Sequence, residues 1–556
     1  MAEDRIRQLL EHEKKLFAEI PLKIVTEKIK EEEIWIPGED GVKLRTQIWL
    51  PENVSPAPTV VVRSCYPQQE PMVVQRAEEF AKRGFGFVLQ WCRGTGGSEG
   101  AWEPNVYDRA DGLSLMNYLQ QDDRFGNLGY WGDSYLAFTG WVMADAVPEK
   151  VRTMYLGVYG CDRHVSAYKD GLFRQDILTA WAMDNAGHPV DADYMTSAAF
   201  RPQVRVDEAL WGGRLDWYRD WITNTDRDCP YWSSGFWKEL MDIPGKIRIP
   251  LFIKEGWYDH HLGSALVTYD RLSKEAKAHS TLEVGPWNHG YRPAVRHQEL
   301  NNLGDTSLSS PMLWFDRILR RGEMPDGLTR RYVIGADCWE EKPAGTDQET
   351  EIVRFYLQEG KLSQTAPLET GTVEYDYDPN DPVPSYGAES LFKTMQNVGS
   401  LIQPEPDYRA DVKSFLSDPI EKALSIEGSI TVRLYVQSDA EDTSFTAKLM
   451  EVFPDGQAVN IRGSITTLAY RNGRAKRGTY VPGECVEITI PMWDISWKVQ
   501  AGSRLRLDIS SSDFPQYAVH PNVTGPWSLA EETKTAHQTV CFGESCPSAV
   551  ELPVRS

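Results

Sequence analysis

The pattern of apolar and polar positions divides the chain into stretches with different predicted secondary structure. Apolar residues recur at helical spacing within 1–20, which predicts an amphipathic N-terminal helix. From about 30 to 145, strands are predicted at 33–36, 44–50, 59–63 and 86–90, with a helix at 72–83. Alternation of short β-branched runs with helical patterns is typical of a mainly parallel sheet with helices on its faces.

The stretch 146–245 differs because it is rich in tryptophan and has few strand-like runs. Its tryptophans at helical spacing are Trp181, Trp211, Trp217, Trp221, Trp232 and Trp237. For any one of them, packing in a small helical core is the preferred interpretation, and lining a substrate cleft is the second. Strand patterns return at 250–254 and 280–284, so this block interrupts the α/β domain as an inserted cap would.

Beyond about 345 the pattern is that of a β-rich domain. Strands are predicted at 352–357, 429–436, 445–452, 486–490 and 504–509, separated by turn sequences. Short strands with regular turns favour a β-sandwich or jelly roll. The acidic, proline-containing stretch 375–386 is the nearest thing to a linker. The predicted domains are an α/β core in two parts (1–145, with the helix 1–20, and 246–345), a helical cap (146–245) and a jelly-roll domain (346–556).

Composition restricts the class of partner. The 556 residues carry a formal net charge of −22, which argues against nucleic acid and against an anionic membrane surface. No apolar run is long enough to span a bilayer, and the charged N-terminus lacks the features of a secretory signal. Eight scattered cysteines without a CxxC pair fit free thiols in a cytoplasmic protein, although pairing of Cys541 with Cys546 stays open.

The local motif with most chemical content is Gly132-Asp133-Ser134, which follows an apolar strand and precedes an apolar helical pattern. A sharp strand-to-helix turn exposes a serine hydroxyl and directs a helix N-terminus at the developing oxyanion. The second glycine of the usual G-x-S-x-G motif is absent, because Leu136 and Ala137 stand there. Ser134 is therefore a candidate nucleophile that needs support from its partners.

Two further loops supply those partners. His289 lies in a turn-rich loop after the strand at 280–284, and Asp259 follows the strand at 250–254 and a glycine. Ser134, Asp259 and His289 thus occur in the order of an α/β-hydrolase, each after its own strand. We expect His289 to be the base and Asp259 to orient it. The adjacent pair His260-His261 is interpreted as local packing, so no metal site is predicted.

Several segments resemble a family of serine hydrolases that includes bacterial cocaine esterase, α-amino-acid ester hydrolases and X-Pro dipeptidyl-peptidases (CocE/NonD-type, peptidase S15-like). They are 93–100 (RGTGGSEG), 132–135 (GDSY), 256–259 (GWYD) and 285–290 (GPWNHG), followed by 438–443 (SDAEDT) and 452–456 (VFPDG). The resemblance extends from about 30 to 520. It implies an α/β-hydrolase core with an inserted helical cap and a C-terminal β jelly-roll domain. It also implies an oxyanion hole formed by the Tyr66 hydroxyl and the Tyr135 N–H.

The chain departs from the family pattern at two positions. Ala137 stands where the family has glycine, and Trp91 stands two residues before Arg93, where the family has aspartate. We expect the 93–99 loop to brace the core and not to react. Further cleft candidates are Trp181 and the acids Asp133 and Glu70. Either acid would suit recognition of a substrate ammonium group, although solvated acids are common in so acidic a chain.

The predicted function is two-step acyl transfer on a small ester or amide, without a cofactor. Two alternatives remain. An X-Pro dipeptidyl-peptidase would need a buried carboxylate pair or its equivalent for the free N-terminus of its substrate. A non-catalytic protein would use the jelly roll to bind carbohydrate or protein. A homodimer formed through the β-rich domain also stays open.

Overall fold

The computed structural model describes residues 2–304, 309–346, 349–389, 393 and 395–555. The first part of the chain has four helices, α1 (Ala2–Glu19), α2 (Glu70–Lys82), α3 (Asp108–Gln121) and α4 (Tyr135–Trp141). Its strands are β1 (Ile29–Pro37), β2 (Lys43–Pro51), β3 (Ala57–Ser64), β4 (Gly86–Trp91), β5 (Phe125–Asp133) and β6 (Val151–Gly157). Each strand predicted before residue 145 lies within one of these.

A helical insertion then separates β6 from the rest of the core. It contains α5 (Arg163–Ala167), the short strands β7 (Tyr168–Lys169) and β8 (Leu172–Phe173), α6 (Gln175–Asp184), α7 (Tyr194–Ala199), α8 (Asp216–Thr223), α9 (Pro230–Ser233) and α10 (Gly235–Asp242). The core resumes with β9 (Leu251–Tyr258), α11 (Leu262–Asp270), α12 (Lys274–Lys277), β10 (Thr281–Asn288), α13 (Ser309–Phe315), β11 (Leu328–Val333) and β12 (Cys338–Pro343).

The core sheet has ten strands in the order β1-β2-β4-β3-β5-β6-β9-β10-β11-β12. Pairing is parallel from β4 through β11, and β1, β2 and β12 pair antiparallel at the two edges. This is an α/β-hydrolase core with an inserted helical cap. Because β5, β9 and β10 are parallel, their carboxyl ends lie along the same edge of the sheet, where ligands bind in such folds.

Alternating side chains of the strands pack into two separate hydrophobic layers, one on each face of the sheet. On β3, Val60 and Val62 pack into a layer with α1, α2 and α13, whereas Val61 faces the opposite layer with α3, α4 and α11. The period of two in a strand produces this division. Phe80 of α2 contacts Trp131 of β5 and Phe315 of α13, so aromatic rings fill the first layer.

The C-terminal domain is a β jelly roll. Its strands are β13 (Thr350–Gln358), β14 (Lys361–Ser363), β15 (Gly371–Tyr377), β16 (Lys413–Ser417), β17 (Leu424–Ser438), β18 (Ser444–Val452), β19 (Ala458–Thr467), β20 (Val486–Val499), β21 (Arg504–Ser510), β22 (Ala536–Phe542) and β23 (Ala549–Arg555). The Arg462 guanidinium joins it to the core by donating to the Trp257 carbonyl at 2.5 Å.

One sequence interpretation in this domain was wrong. The stretch 375–386 is not a linker, because its first residues belong to β15, which pairs with β22. Tyr375 and Tyr377 are buried there, and the Tyr377 hydroxyl donates to the His520 carbonyl at 3.0 Å. All eight cysteines have free thiols, so Cys541 and Cys546 are not bonded to each other. Within the described ranges, every helix is too short or too polar to cross a membrane.

The N-terminal helix α1 packs on α2 through few but specific contacts. Phe17 is 1% exposed, and its carbonyl accepts a hydrogen bond from Arg83 at 2.7 Å. Arg76 of α2 donates to the Glu13 carboxylate at 2.5 Å. The predicted amphipathic helix is therefore part of the core.

We predict that Phe17→Ala releases α1 from the core. Truncating a buried phenylalanine costs about 3–5 kcal/mol, which corresponds to an increase of about a hundredfold or more in amide hydrogen exchange within α1. Exchange measured by mass spectrometry checks this result. Lys15→Ala, at a neighbouring exposed position, is the matched control. Exchange in the Phe17 variant that equals that of the control would show that this side chain does not hold α1.

Candidate active site

Ser134 stands at the turn between β5 and α4. Its φ of 57° and ψ of −127° lie in a region that a non-glycine residue adopts only when its surroundings impose it. Gly132 lets the turn close, because a Cβ there would lie 2.2 Å from the Leu136 carbonyl oxygen. The Ser134 N–H donates to the Gly157 carbonyl at 2.9 Å, which ties the turn to β6. The serine is thus held at the carboxyl edge of the sheet.

The structure brings His289 and Asp259 to the same edge. Asp259 follows β9 directly and is fully buried, and His289 follows β10 with 26% of its side chain exposed. His289 Nδ1 lies 2.5 Å from Asp259 Oδ2, and His289 Nε2 lies 2.9 Å from Ser134 Oγ. Since a carboxylate can only accept, Nδ1 carries the proton, and Nε2 is the nitrogen free to accept from the serine.

A second contact fixes the Asp259 carboxylate. The other oxygen of Asp259, Oδ1, accepts the His261 N–H at 2.7 Å, so both oxygens have donors. In the β9–β10 register, Tyr258 pairs with Asn288 after an irregularity that begins at Gly285. Bulges of this kind re-aim the residues that follow them, and here the next residue is His289.

Tyr66, the first oxyanion-hole candidate, lies just after β3. Its hydroxyl oxygen accepts a hydrogen bond from Trp181 Nε1 at 2.9 Å. Burial raises the pKa of the Tyr66 phenol well above its ordinary value of 10. The phenol therefore keeps its proton at neutral pH and remains a donor. Trp181, predicted as a cleft residue, thus links the insertion to the core.

Tyr135 contributes to the site through its backbone and its ring. As the first residue of α4, its N–H has no acceptor within the helix and is available to an oxyanion. The Tyr135 hydroxyl donates to Asp108 at 2.7 Å and accepts the Asn105 N–H at 2.8 Å. Its ring stacks on Trp181 at a centroid distance of 5.8 Å. These contacts, which the sequence analysis missed, anchor the residue that follows Ser134.

The two candidate acids lie in different places. Asp133 borders the cavity, and its carboxylate accepts the Tyr291 hydroxyl at 2.6 Å. Glu70 lies outside the residues that line the cavity and pairs with Arg45 at 3.3 Å. Tyr291 was missed by the sequence analysis, although it stands two residues after His289 in the same loop.

Buried charged residues on β9 lie beneath the site. Glu255 is fully buried, and burial, followed by the nearby Asp259 charge, raises its pKa well above 4.5. Lys254 lies 3.7 Å from Glu283, with its ammonium group 5.1 Å from the Trp287 ring centroid. In the sequence, the adjacent Lys254 and Glu255 stand inside an otherwise apolar strand, and this pattern could have indicated buried ionisable groups near the site.

The rings of His260 and His261 lie beside His289 and take no part in the hydrogen bonds that join Ser134, His289 and Asp259. Both are buried, and burial, followed by nearby positive charge, lowers their pKa values well below 6.5. Their rings lie 4.5 and 5.9 Å from the His289 ring, and His261 Nδ1 is 2.8 Å from Ser166 Oγ. Ligand atoms of Asp259, His260 and His289 lie within 4.8 Å of one another. However, the direct hydrogen bond between Asp259 and His289 already occupies two of them.

The loop after β4 braces the core. The Arg93 guanidinium pairs with Asp40 at 2.6 Å and with Asp111 at 2.7 Å. Trp91 is fully buried and donates to Gln47 at 3.0 Å. Its ring leaves no room for a side chain at Gly96, so tryptophan is a packing residue at this departure from the family pattern.

A cavity of about 440 Å³ opens over Ser134 between the core and the insertion. Two of the six tryptophans of the insertion, Trp181 and Trp221, line it, and His289 closes one side. Trp211, Trp232 and Trp237 are buried in the helical core of the insertion. Both interpretations of the tryptophans therefore apply, to different members of the set.

Comparison with known proteins agrees with this architecture. Residues 40–291 match the model of X-Pro dipeptidyl-peptidase (S15 family), and residues 318–551 match that of the X-Pro dipeptidyl-peptidase C-terminal non-catalytic domain. The chain is 29% identical to cocaine esterase of Rhodococcus sp. (strain MB1 Bresler) over 568 residues, which cover 94% of this chain and 98% of the relative.

Two solved structures share the fold over nearly the whole chain. An aminopeptidase from a marine sediment archaeon, Thaumarchaeota archaeon, has a TM-score of 0.78 at 20% identity and covers 97% of this chain and 99% of its own. An α-amino acid ester hydrolase has a TM-score of 0.78 at 21% identity, with 96% and 98% covered. At this identity the likeness concerns the fold.

We predict that Gly132→Ala disrupts the turn that presents Ser134. The added Cβ would meet a backbone carbonyl at 2.2 Å, and displacement of a reacting group by about 1 Å costs roughly a hundredfold in rate. We expect kcat/KM on an ester to fall by at least about that factor. Gly245→Ala is the matched control, because its Cβ would meet its nearest neighbour at 3.7 Å. A Gly132 variant as active as this control would contradict the backbone argument.

Proposed function

Because the chain belongs to the CocE/NonD-type, S15-like family of serine hydrolases, we propose that Ser134, His289 and Asp259 are its catalytic triad. The proposed reaction is hydrolysis of an ester or amide of a small acyl or aminoacyl compound. The observation that carries it is the continuous chain from Oγ through the imidazole to the buried carboxylate, with spacings of 2.9 and 2.5 Å. The family is one of hydrolases, so we set aside the alternative of a non-catalytic binding protein.

In the first step, Ser134 Oγ attacks the substrate carbonyl carbon while His289 Nε2 accepts the hydroxyl proton. Asp259 holds the imidazole through Nδ1–H and stabilises the imidazolium that forms. The carbonyl oxygen becomes an oxyanion that accepts hydrogen bonds from the Tyr66 hydroxyl and the Tyr135 N–H. Collapse of this intermediate breaks the bond to the leaving group, which takes the proton from His289.

In the second step, water replaces the leaving group. His289 removes a proton from the water as its oxygen attacks the acyl carbon, and the same two donors receive the second oxyanion. The Ser134 oxygen then leaves and recovers its proton from the imidazolium, so that the free acid and the resting enzyme are formed. Neutral His260 and His261 add no positive charge beside the imidazolium.

The cavity favours an esterase or acylase over an X-Pro dipeptidyl-peptidase. Among the described residues that line it, the carboxylates are Asp133 and Asp184. Asp133 is hydrogen-bonded to Tyr291, and Asp184 pairs with Lys393 at 2.8 Å. The pair of free carboxylates that a peptide N-terminus needs is therefore not formed by these groups. The esterase name of the relative similar over 94% of the chain agrees with this choice.

Comparing two substrates tests this assignment. We expect the purified protein to hydrolyse 4-nitrophenyl butyrate much faster than Gly-Pro-4-nitroanilide, because the described residues of the cavity wall offer no free carboxylate pair for the ammonium group. Ser134→Ala should reduce kcat roughly 10⁶-fold while the thermal unfolding midpoint is kept. It should also abolish labelling by a fluorophosphonate probe. Faster cleavage of the anilide would reverse the choice of substrate, and near-native rates in the serine variant would refute the triad.

We predict that Tyr66→Phe lowers kcat by about 10²–10³, the usual effect of removing one oxyanion donor. Substrate binding should change little, because the ground-state carbonyl needs this donor less than the oxyanion does. Steady-state kinetics on 4-nitrophenyl butyrate separate kcat from KM. Tyr107→Phe, an exposed tyrosine whose hydroxyl lies outside the cavity, is the matched control. If the effect falls on KM alone, Tyr66 is a binding residue and not an oxyanion donor.

A further inference from the structure

Arg163 is a buried cation in the wall of the active-site cavity. It follows β6, which pairs with β5, the strand that ends just before Ser134, and it is the first residue of α5. The residue is 7% exposed and lines the same cavity as Ser134 and His289. The sequence analysis of 146–245 considered its tryptophans as cleft residues and did not predict Arg163.

The guanidinium of Arg163 has no carboxylate partner among the residues that the structure describes. Its Cζ lies 4.6 Å from the ring centroid of Trp221, another residue of the cavity wall. Its buried Nε has no hydrogen-bond acceptor, and the Tyr159 hydroxyl is a neutral neighbour. The adjacent acid Asp162 is engaged elsewhere, because Arg227 donates to it at 2.5 Å.

The other charged groups around the cavity are compensated or lie elsewhere. Arg76 also lines the cavity, but its charge is paired with Glu13 at 2.5 Å. Asp184 pairs with Lys393, and Asp133 accepts the Tyr291 hydroxyl. Burial raises the pKa of Glu255 well above 4.5. The positive charge of Arg163 also contributes to keeping both neighbouring histidines neutral.

Burying a cation without a counterion costs free energy, since water no longer solvates the charge. A bound anion would supply that counterion. The guanidinium is suited to this role, because its planar fork matches the two oxygens of a carboxylate and hydrogen-bonds both. The cation–π contact with Trp221 would hold the guanidinium in place before the anion arrives.

We propose that Arg163 binds a carboxylate of the substrate, so that the enzyme prefers esters or amides that carry a carboxylate in the acyl or the leaving group. This inference rests on the proposed function of Ser134 as nucleophile. It differs from what the overall charge of −22 suggests, namely a bias towards neutral or cationic substrates. Surface charges are screened by salt within about 10 Å, whereas a buried guanidinium acts at contact in a weakly screening environment.

The test compares matched pairs of anionic and neutral esters. The acyl pair is the 4-nitrophenyl monoester of adipic acid against 4-nitrophenyl hexanoate. The leaving-group pair is 3-acetoxybenzoate against phenyl acetate. The wild-type ratio of kcat/KM, anionic over neutral, should exceed one in at least one pair, and that pair identifies which part of the substrate carries the carboxylate.

Variants at position 163 then connect this ratio to the guanidinium. Arg163→Met should reduce the ratio by about ten- to a hundredfold, the effect of losing a hydrogen-bonded charge pair. Arg163→Lys, which keeps the charge and loses the fork, should retain part of the preference. Arg76→Gln, which removes the other arginine of the cavity, should leave the ratio within about twofold, because that charge is already paired.

The possible outcomes separate the two proposals. Hydrolysis of the neutral esters without any preference for the anionic ones overturns the role of Arg163 and leaves the triad standing. A preference that survives in Arg163→Met overturns it as well. If the wild-type protein hydrolyses none of the four esters, the proposed function fails and this inference fails with it. Because every comparison is a ratio within one protein, partial misfolding of a variant does not imitate the effect.

Discussion

The close approach of two backbone segments, Gly132 to the carbonyl of Leu136, is the constraint from which the site is built. It forces Ser134 into a conformation that its own side chain disfavours, and the hydrogen bond to Gly157 holds it there. Because the Ser134 hydroxyl is fixed at the edge of the sheet, the loop after β10 needs only to place the His289 ring beside it. The strain is local, and the rigid parallel strands on both sides support it.

Around this point, the protein limits where charge can reside. Burial raises the pKa of Glu255 beneath Asp259 and lowers the pKa values of His260 and His261 beside His289. On our proposals, the charges that act in acyl transfer are the Asp259 carboxylate, the His289 imidazolium that forms during turnover and the Arg163 cation that binds the substrate. A site made in this way lets one proton transfer dominate, because neighbouring groups do not compete for it.

The sequence predicted most of the core because the decisive patterns are local. Ser134, Asp259 and His289 each follow an apolar strand, and strand ends in a parallel sheet meet at one edge. Contacts between distant segments were not predictable, such as Tyr291 with Asp133 and Tyr135 with Asp108, because no local pattern encodes them. The misassigned linker had a different cause. In β15, buried tyrosines alternate with exposed acids. The acidic residues and prolines of this stretch are typical of a linker, and they obscure the period of two that indicates a strand.

The hydrogen bond from Trp181 to the Tyr66 hydroxyl joins the helical insertion to a group proposed to contact the reacting oxygen. Inserted caps are often treated as exchangeable parts that set which molecules enter, while the core sets how fast they react. In this enzyme, Trp181 belongs to the insertion and also contacts the proposed oxyanion donor, so selectivity and rate depend on the same side chain. Exchange of the insertion between relatives would therefore alter the turnover rate together with selectivity, unless the tryptophan and its partner were transplanted as a unit.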